Sequence, residues 1–507
     1  MKKRVLLLSL MICLLIFSSV QAQFSTPGTS QRYTLAQLAT LSGGYVTQVG
    51  GVWLINDTIR LAATDTLRIT TNETIRVADR ALLSIDGVLR ITPPDSVVFT
   101  AQNVAQPWLG MQLSATSGGS VLRRTVVERS GGVRVVDATV ELTDCAFRNN
   151  LATVGGRLTN SGALALSGNR ALVQRCRFVR NARAGINSPS NRPTSPVIED
   201  CVFWHNDTEN GNYPQINLGT GNPLFPIRIE RCAVVGNPAY NMGGGIGVSN
   251  LLGGGGVTTA VIRRNTVRNN RYGIAVIGSS ISAYVTGNLV ENNNTNPNAQ
   301  TGGSGLNFQG NQTQTGVVSR NVVTGNLWGV TLVRSGTAGG PAISFGNLSS
   351  TDTIDVGLNR FTGNGNGGQV YDFYNNGPDA VKAENNDWGS ATANIIETHI
   401  YHQPDQATLG VVDFQPFRLP LSVRARTPLL STEAYPNPTR AAVAFRLAST
   451  APVQVRLYDA TGRLVLSQML RPQNGEVQLS TQALQMGLYS YQLMQEAAVG
   501  TGRLVVK

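Results

Sequence analysis

Residues 140–150, VELTDCAFRNN, carry a Cys at 145 and an Asn five residues later at 150. The same phrase returns as ALVQRCRFVRN (171–181), PVIEDCVFWHN (196–206) and IRIERCAVVGN (227–237). Asn then replaces Cys in AVIRRNTVRNN (260–270), AYVTGNLVENN (283–293) and GVVSRNVVTGN (316–326). Two looser copies, IDVGLNRFTGN (354–364) and VKAENNDWGS (381–390), close the series. The repeated key positions are Cys145, Cys176, Cys201, Cys232, Asn265, Asn288, Asn321, Asn359 and Asn385. They lie 31, 25, 31, 33, 23, 33, 38 and 26 residues apart, so the phrase is fixed while its connections vary. That is the signature of a solenoid, in which each repeat is one unit and insertions go into loops.

Within the phrase, apolar residues stand three before and two after the key position, as in Leu142/Phe147, Ile198/Phe203 and Val318/Val323. Alternation of period two holds on either side, and its phase slips between them. Two short strands meeting at a corner, with the key residue turned inward, produce this pattern. A third strand follows at Gly132-Val133, Gly185-Ile186, Gly245-Ile246, Gly273-Ile274, Gly305-Leu306 and Gly329-Val330, with Gly read as the bend before it. Three short strands per coil, stacked at about 4.8 Å, predict an all-β parallel β-helix.

The ladder residues have a chemical reason. Stacked Asn amides donate and accept along the row, and Cys fills the same slot as a small buried side chain. The preceding residue alternates in sign through Arg124, Asp144, Arg175, Asp200 and Arg231, so neighbouring coils can pair charges. The four Cys of the ladder read as free buried thiols, with Cys145–Cys176 and Cys201–Cys232 bridges as the alternative. No His stands at ligand spacing from them, so a zinc site is not expected.

The N-terminus has Lys2, Lys3 and Arg4, an apolar run from Val5 to Phe17, and small residues up to Ala22, which reads as a secretory signal peptide over 1–22. No other stretch is long and apolar enough to span a bilayer. The formal charge of +12 is spread thinly: three charges sit in the leader and three in residues 432–507, leaving +6 over 23–431. No basic cluster with interleaved aromatics stands out, which argues against nucleic acid as a partner.

Residues 40–420 resemble the right-handed parallel β-helix superfamily, the pectin-lyase-like fold. Ser96–Leu113, with Trp108-Leu109-Gly110, is similar to an early coil of such proteins, and Glu384–Phe417 to their closing Asn-Trp-Gly segment. There Trp388 would cap the core and Asp413/Pro416 would end the run. After a polar linker over 421–434, alternating strands predict a small C-terminal β-sandwich over 435–507. This tail resembles the type IX secretion sorting domain (type A) of Bacteroidota. Tyr435-Pro436-Asn437-Pro438 matches its opening motif, Asp459-Ala460-Thr461-Gly462-Arg463 its central turn, Met486-Gly487-Leu488-Tyr489 its penultimate strand, and Gly502 to Lys507 its terminus. The resemblance implies recognition by the type IX machinery and delivery to the cell surface or the medium.

Enzymes of the pectin-lyase-like fold work on acidic polysaccharides over the outer face of the Gly-led strands. Lyases there need a base and usually acids that hold Ca²⁺, and hydrolases need close carboxylates. The outward row reads Arg134, Asn187, Asn217, Gly247, Ala275, Asn307 and Thr331, then Tyr371 or Asp372, and contains almost no acid. No complete catalytic set is legible. The best remaining candidates, His205, Asp207 and Glu209, share a loop whose first reading is an exposed, polar turn after a strand. His399 and His402 read as part of the closing segment. Asn187, Asn217, Asn307 and Tyr371 are the expected ligand-binding residues: amides for sugar hydroxyls and a ring for stacking. The reading is a surface or secreted β-helix protein that binds polysaccharide or adheres without catalysis and needs no cofactor. A lyase or hydrolase of this fold, the only case that would involve Ca²⁺, and a structural spacer are the alternatives.

Overall fold

The computed structural model describes residues 23–419 and 434–507, apart from 156, 159–161, 169, 253–255, 338, 448, 474, 496 and 497. The expected leader, Cys13 with it, and nearly all of the linker lie outside the described residues. The chain divides into two compact units, up to Pro420 and from Leu421 onward.

In the 140–150 phrase, strand Val140–Thr143 turns at Asp144, strand Ala146–Arg148 follows, and Asn149 turns the chain again. Both turning residues are left-handed, at φ +56° and +53°. The first corner recurs with φ +47° to +58° at Arg124, Arg175, Asp200, Arg231, Arg264 and Arg320. The second recurs at Arg129, Arg180, His205, Asn269 and Asn292. A left-handed residue costs a non-glycine side chain ~1–2 kcal/mol, and the ladder behind each corner offsets that cost. Ion pairs Arg175–Asp144 and Arg231–Asp200, both 2.7 Å, join successive first corners as the alternating signs imply.

Among the described residues, the coils stack into sheets of fourteen, thirteen and twelve strands, and the pairing between coils is parallel. The chain is a parallel β-helix. A short helix, Leu35–Leu41, capped by Thr34 and Gln37, covers the first coil with Leu35 and Leu38. At the other end Trp388 is buried against Phe361 at 5.1 Å and Phe373 at 6.3 Å, with Phe414 beyond it. Phe147, Phe178 and Phe203 stack on one another through the core at 4.9 and 4.8 Å.

The inward row forms a hydrogen-bonded ladder. Cys176 donates its N–H to Cys201 Sγ, Cys232 to Asn265 Oδ1 at 2.8 Å, and each later Asn gives both its N–H and its amide to the next. All four Cys are free and buried. The last rung corrects the expected register. Asn359 donates to Asn386, not Asn385; Asn385 is the left-handed corner at φ +60° and Asn386 is buried behind it. Two adjacent Asn fit the pattern, and the backbone selects the second.

A second ladder runs Asn150–Asn181–Asn206 and ends on Gln215 Oε1, then restarts as Asn270–Asn293–Asn326–Asn364 and ends on Asp372 Oδ1. Asn237 and Ser390, five past their key positions, are not in it. At the break the Asn270 Oδ1 has no hydrogen-bond partner among the described residues. Three of the strand-leading glycines are also explained differently. A Cβ at Gly245, Gly273 or Gly329 would stand 2.3, 2.4 and 2.3 Å from the carbonyl oxygen of the next coil. Close approach of backbones, rather than a bend, demands Gly there.

The second unit is a small β-sandwich. Strands Ala434–Tyr435, Ala442–Arg446 and Glu476–Ser480 form one antiparallel sheet, and Leu464–Leu470, Val453–Tyr458, Gly487–Gln495 and Ala498–Val506, in that spatial order, form the other. Phe445, Leu457, Leu479, Leu493 and Leu504 share its core. Asp459 organises the central turn by accepting from the Thr461 hydroxyl and the Arg463 N–H, with Gly462 at φ +82°. The Thr461 hydroxyl, then Arg463, holds the Asp459 carboxyl at about 2. Tyr489 donates its hydroxyl to Gln485 O at 2.8 Å. No helix among the described residues is long and apolar enough to cross a membrane.

Candidate functional site

The outward row of the fourteen-stranded sheet can be read from its register. It runs Arg134, Ala165, Asn187, Asn217, Gly247, Ala275, Asn307, Thr331, Tyr374 and Tyr401. The row therefore ends on Tyr374 and Tyr401, and Tyr371 and Asp372 precede the strand. Tyr371 flanks the row by packing on Trp328 at 4.6 Å, while Asp372 is buried.

Along the last part of this row the sheet floors a cleft of about 720 Å³. Its floor is Ala275 and Ile277, Asn307 and Gln309, Thr331 and Val333, and Tyr374, from four adjacent strands spanning about 14 Å along the axis. One side wall is the segment Ala299–Gly302, and Arg271, Tyr272 and Asn212 also line the cleft. The wall is tied down at several points. Trp328 Nε1 donates to Ala299 O at 2.8 Å, Gly303 N–H to Arg271 O at 2.7 Å, and the Arg271 guanidinium to Asn212 Oδ1 and Thr301 O.

Trp328, Tyr374 and Tyr401 form an aromatic track, with 5.0 Å between Trp328 and Tyr374 and 5.0 Å between the stacked Tyr374 and Tyr401. Burial pushes the Tyr272 phenol up to about 12, and burial, then Tyr401 and Tyr371, raises that of Tyr374. Both hydroxyls are therefore neutral donors and acceptors at physiological pH. Asn307 Nδ2 donates to Thr331 Oγ1 at 2.7 Å, which orients the amide on the floor. Among the described residues, no Asp or Glu lines the cleft.

Of the expected ligand residues, Asn307 is in the cleft. Asn187 and Asn217 lie on the same row outside it, paired in register with each other. Tyr371 supports Trp328 from the side. Arg271, Tyr272, Gln309, Trp328 and Thr331 were not picked out as binding residues from the sequence. One signal was present: Tyr272-Gly273 and Trp328-Gly329 each put an aromatic directly before a strand-leading Gly.

The loop candidates have separate roles. His205 is a second corner at φ +56°, stacked on Trp204 at 4.4 Å, and partial burial, then Arg180, lowers its imidazole. Asp207 is buried and accepts N–H bonds from Gly211 at 2.9 Å and Tyr213 at 3.1 Å. Burial pushes its carboxyl up to about 6. Glu209 pairs with Arg183 at 2.9 Å. No hydrogen bond or ion pair joins these three residues to one another among the described residues.

In the closing segment His402 is buried, accepts the Val412 N–H at its Nδ1 and places Nε2 2.7 Å from Glu397. His399 Nδ1 stands 3.2 Å from Asp372 Oδ2. Among the described residues, no group of three or more His, Cys, Asp or Glu is arranged to hold a metal ion.

Residues 433–507 match the family described as Secretion system C-terminal sorting domain. No curated protein matches the chain. Among solved structures, a tailspike protein mutant of E. coli bacteriophage HK620 in complex with a pentasaccharide is similar at 11% identity and a TM-score of 0.27, covering 93% of this chain and 87% of that one. The chain is thus a parallel β-helix carrying a type IX sorting tail, exported by type IX secretion to the cell surface or the extracellular space.

Proposed function

We propose that the exported solenoid is a non-catalytic polysaccharide-binding or adhesive protein that holds a glycan in the cleft between Tyr272 and Tyr374. The observation that carries this reading is the lining itself. An aromatic track meets amide and hydroxyl groups on a floor built from regular strands, and none of the described residues lining it is a carboxylate that could act as acid, base or nucleophile. Aromatic faces cover the apolar faces of sugar rings, and Asn307, Gln309, Thr331 and Ser304 offer hydrogen bonds to hydroxyls. A floor on strands is pre-organised, so little order has to be gained on binding.

The competing reading is a lyase or hydrolase. Asp207, with its carboxyl near 6, would be its natural acid or base. Both of its oxygens are occupied by backbone N–H groups, which favours a loop-forming role.

The test is a panel of acidic and neutral polysaccharides, assayed for retention and for depolymerisation with and without Ca²⁺. Retention without cleavage is expected. Unsaturated or shortened products would replace the binding reading with the enzyme; no retention of any glycan would leave the spacer reading in its place.

A further inference from the structure

The four-stranded sheet of the tail has two edges, and the chain treats them differently. The edge strand Ala498–Val506 is covered over its last residues by the opening motif. Asn437 Nδ2 donates to Arg503 O at 2.8 Å, and Val505 N–H donates to Asn437 Oδ1 at 2.9 Å. Thr439 N–H donates to Val505 O, and Lys507 N–H to Thr439 O, each at 2.8 Å. The Tyr435-Pro436-Asn437-Pro438 segment thus leads a short cover along that edge.

The opposite edge is Leu464–Leu470, LVLSQML. It pairs with Val453–Tyr458 on one side, and among the described residues nothing pairs with its other side. Edges left open in soluble proteins are blunted by Lys, Pro or an inward charge. This one has no charge and no Pro over its whole length, and Leu464 and Met469 are 48% and 63% exposed. A row of free backbone donors and acceptors with uncharged side chains takes one kind of occupant, an extended strand.

We propose that the Leu464–Leu470 edge is the surface on which the tail is read, accepting a β-strand from a protein of the export machinery by strand addition. The proposal rests on the sorting assignment of residues 433–507, which supplies the partner. It adds where on the domain that partner binds.

The test uses the full chain in its secreting host, with Leu464→Lys and Met469→Lys combined to charge the edge. Both side chains are exposed, so the domain is expected to fold, and Met469→Lys alone provides a milder variant. Gln482→Lys, exposed and away from the edge, is the control. The double variant is expected to lose surface delivery at least about 10-fold while Gln482→Lys is delivered normally, corresponding to ≥ ~1.4 kcal/mol of lost recognition. Leu464→Gln with Met469→Gln, which leaves the edge uncharged, is expected to be delivered normally. Removal of residues 434–507 is the reference. If removal leaves delivery intact, the sorting assignment itself falls. If removal abolishes delivery but the folded double-Lys variant is delivered like the unaltered chain, the edge proposal is overturned. A purified chain that dimerises through this edge, with delivery untouched by the charges, would likewise overturn it in favour of a second copy as occupant.

Discussion

Trp328 hangs its indole N–H on the carbonyl oxygen of Ala299 at 2.8 Å, so one side chain both faces the cleft and fastens its wall. The two roles are separable by substitution.

Trp328→Phe keeps a ring and drops the tie, whereas Trp328→Ala removes both. Affinity for the retained glycan is expected to fall about 3-fold in the first and 10-fold or more in the second. Tyr374→Ala is expected to match the second, because Tyr374 continues the track. Titration calorimetry on the purified variants reads these differences; equal affinity across all three would place the ligand elsewhere.

Asn288 Oδ1 receives two hydrogen bonds from Asn265, at 2.9 and 3.0 Å, inside the core. Asn288→Ala leaves the Asn265 N–H buried without its acceptor, while the Asn265 amide keeps Ile229 O, and it removes the Asn288 Nδ2 bonds to Asn321 Oδ1 and Ile262 O; the backbone N–H of residue 288 still donates to Asn321 Oδ1. The expected loss of stability is about 2–4 kcal/mol, from ~1–3 kcal/mol per unsatisfied buried group with partial relaxation. Denaturant unfolding of the purified chain measures it, and a change below 1 kcal/mol on the same ~1–3 kcal/mol scale would contradict the ladder's role.

The ladder thiols are free, and burial holds those of Cys145 and Cys201 well above their ordinary range. A thiol reagent is therefore expected to find none of the four accessible in the native protein and all four after unfolding without reductant. Fewer than four on unfolding would mean that oxidation pairs them after export.

Asp207 gives a pH dependence with a definite sign. Its carboxyl stands at about 6 in the folded chain against 3.8 as its ordinary value, so the folded state prefers the protonated form. Its contribution is fully present below the ordinary value and is lost as pH rises through about 6. Relative to Asp207→Asn, the unaltered chain is expected to gain up to about 3 kcal/mol between pH 7 and pH 3.5, at ~1.4 kcal/mol per unit of pH. Unfolding curves at the two pH values check this; a gain in the opposite direction would mean that Asp207 is stabilised as the anion.

Much of the solenoid was legible because its constraints are local and repeated. A corner needs a residue that tolerates positive φ, the next must turn inward, and an apolar residue must follow two further on. Asp144-Cys145-Ala146-Phe147 states all of this in four letters. Where two readings satisfied the same rule, composition could not choose. Asn385 and Asn386 both suit the ladder, and only the left-handed turn at Asn385 decides that Asn386 enters it. The strand-leading glycines were visible, yet their reason was not. The clash that forbids a Cβ at Gly273 comes from the Gly305 carbonyl, one coil away.

The site was less legible because its parts are brought together by the stacking of whole coils. Asn307 belongs to an outward row that period-two alternation exposes, so the sequence could nominate it. Arg271, Trp328 and the Ala299–Gly302 wall join it only because the 294–303 segment folds back across neighbouring coils, where Arg271 and Trp328 hold it. The end of the row depended equally on register, since Tyr374, not Tyr371, pairs with Thr331.

By itself the amino-acid sequence determined the repeat, the inward polar row and the sorting tail, since each is written in residues a few positions apart. The tertiary structure alone decided which outward side chains share a cleft and which edge of the tail its opening motif covers. Those outcomes depend on distances between coils and strands that loop lengths, not local patterns, set.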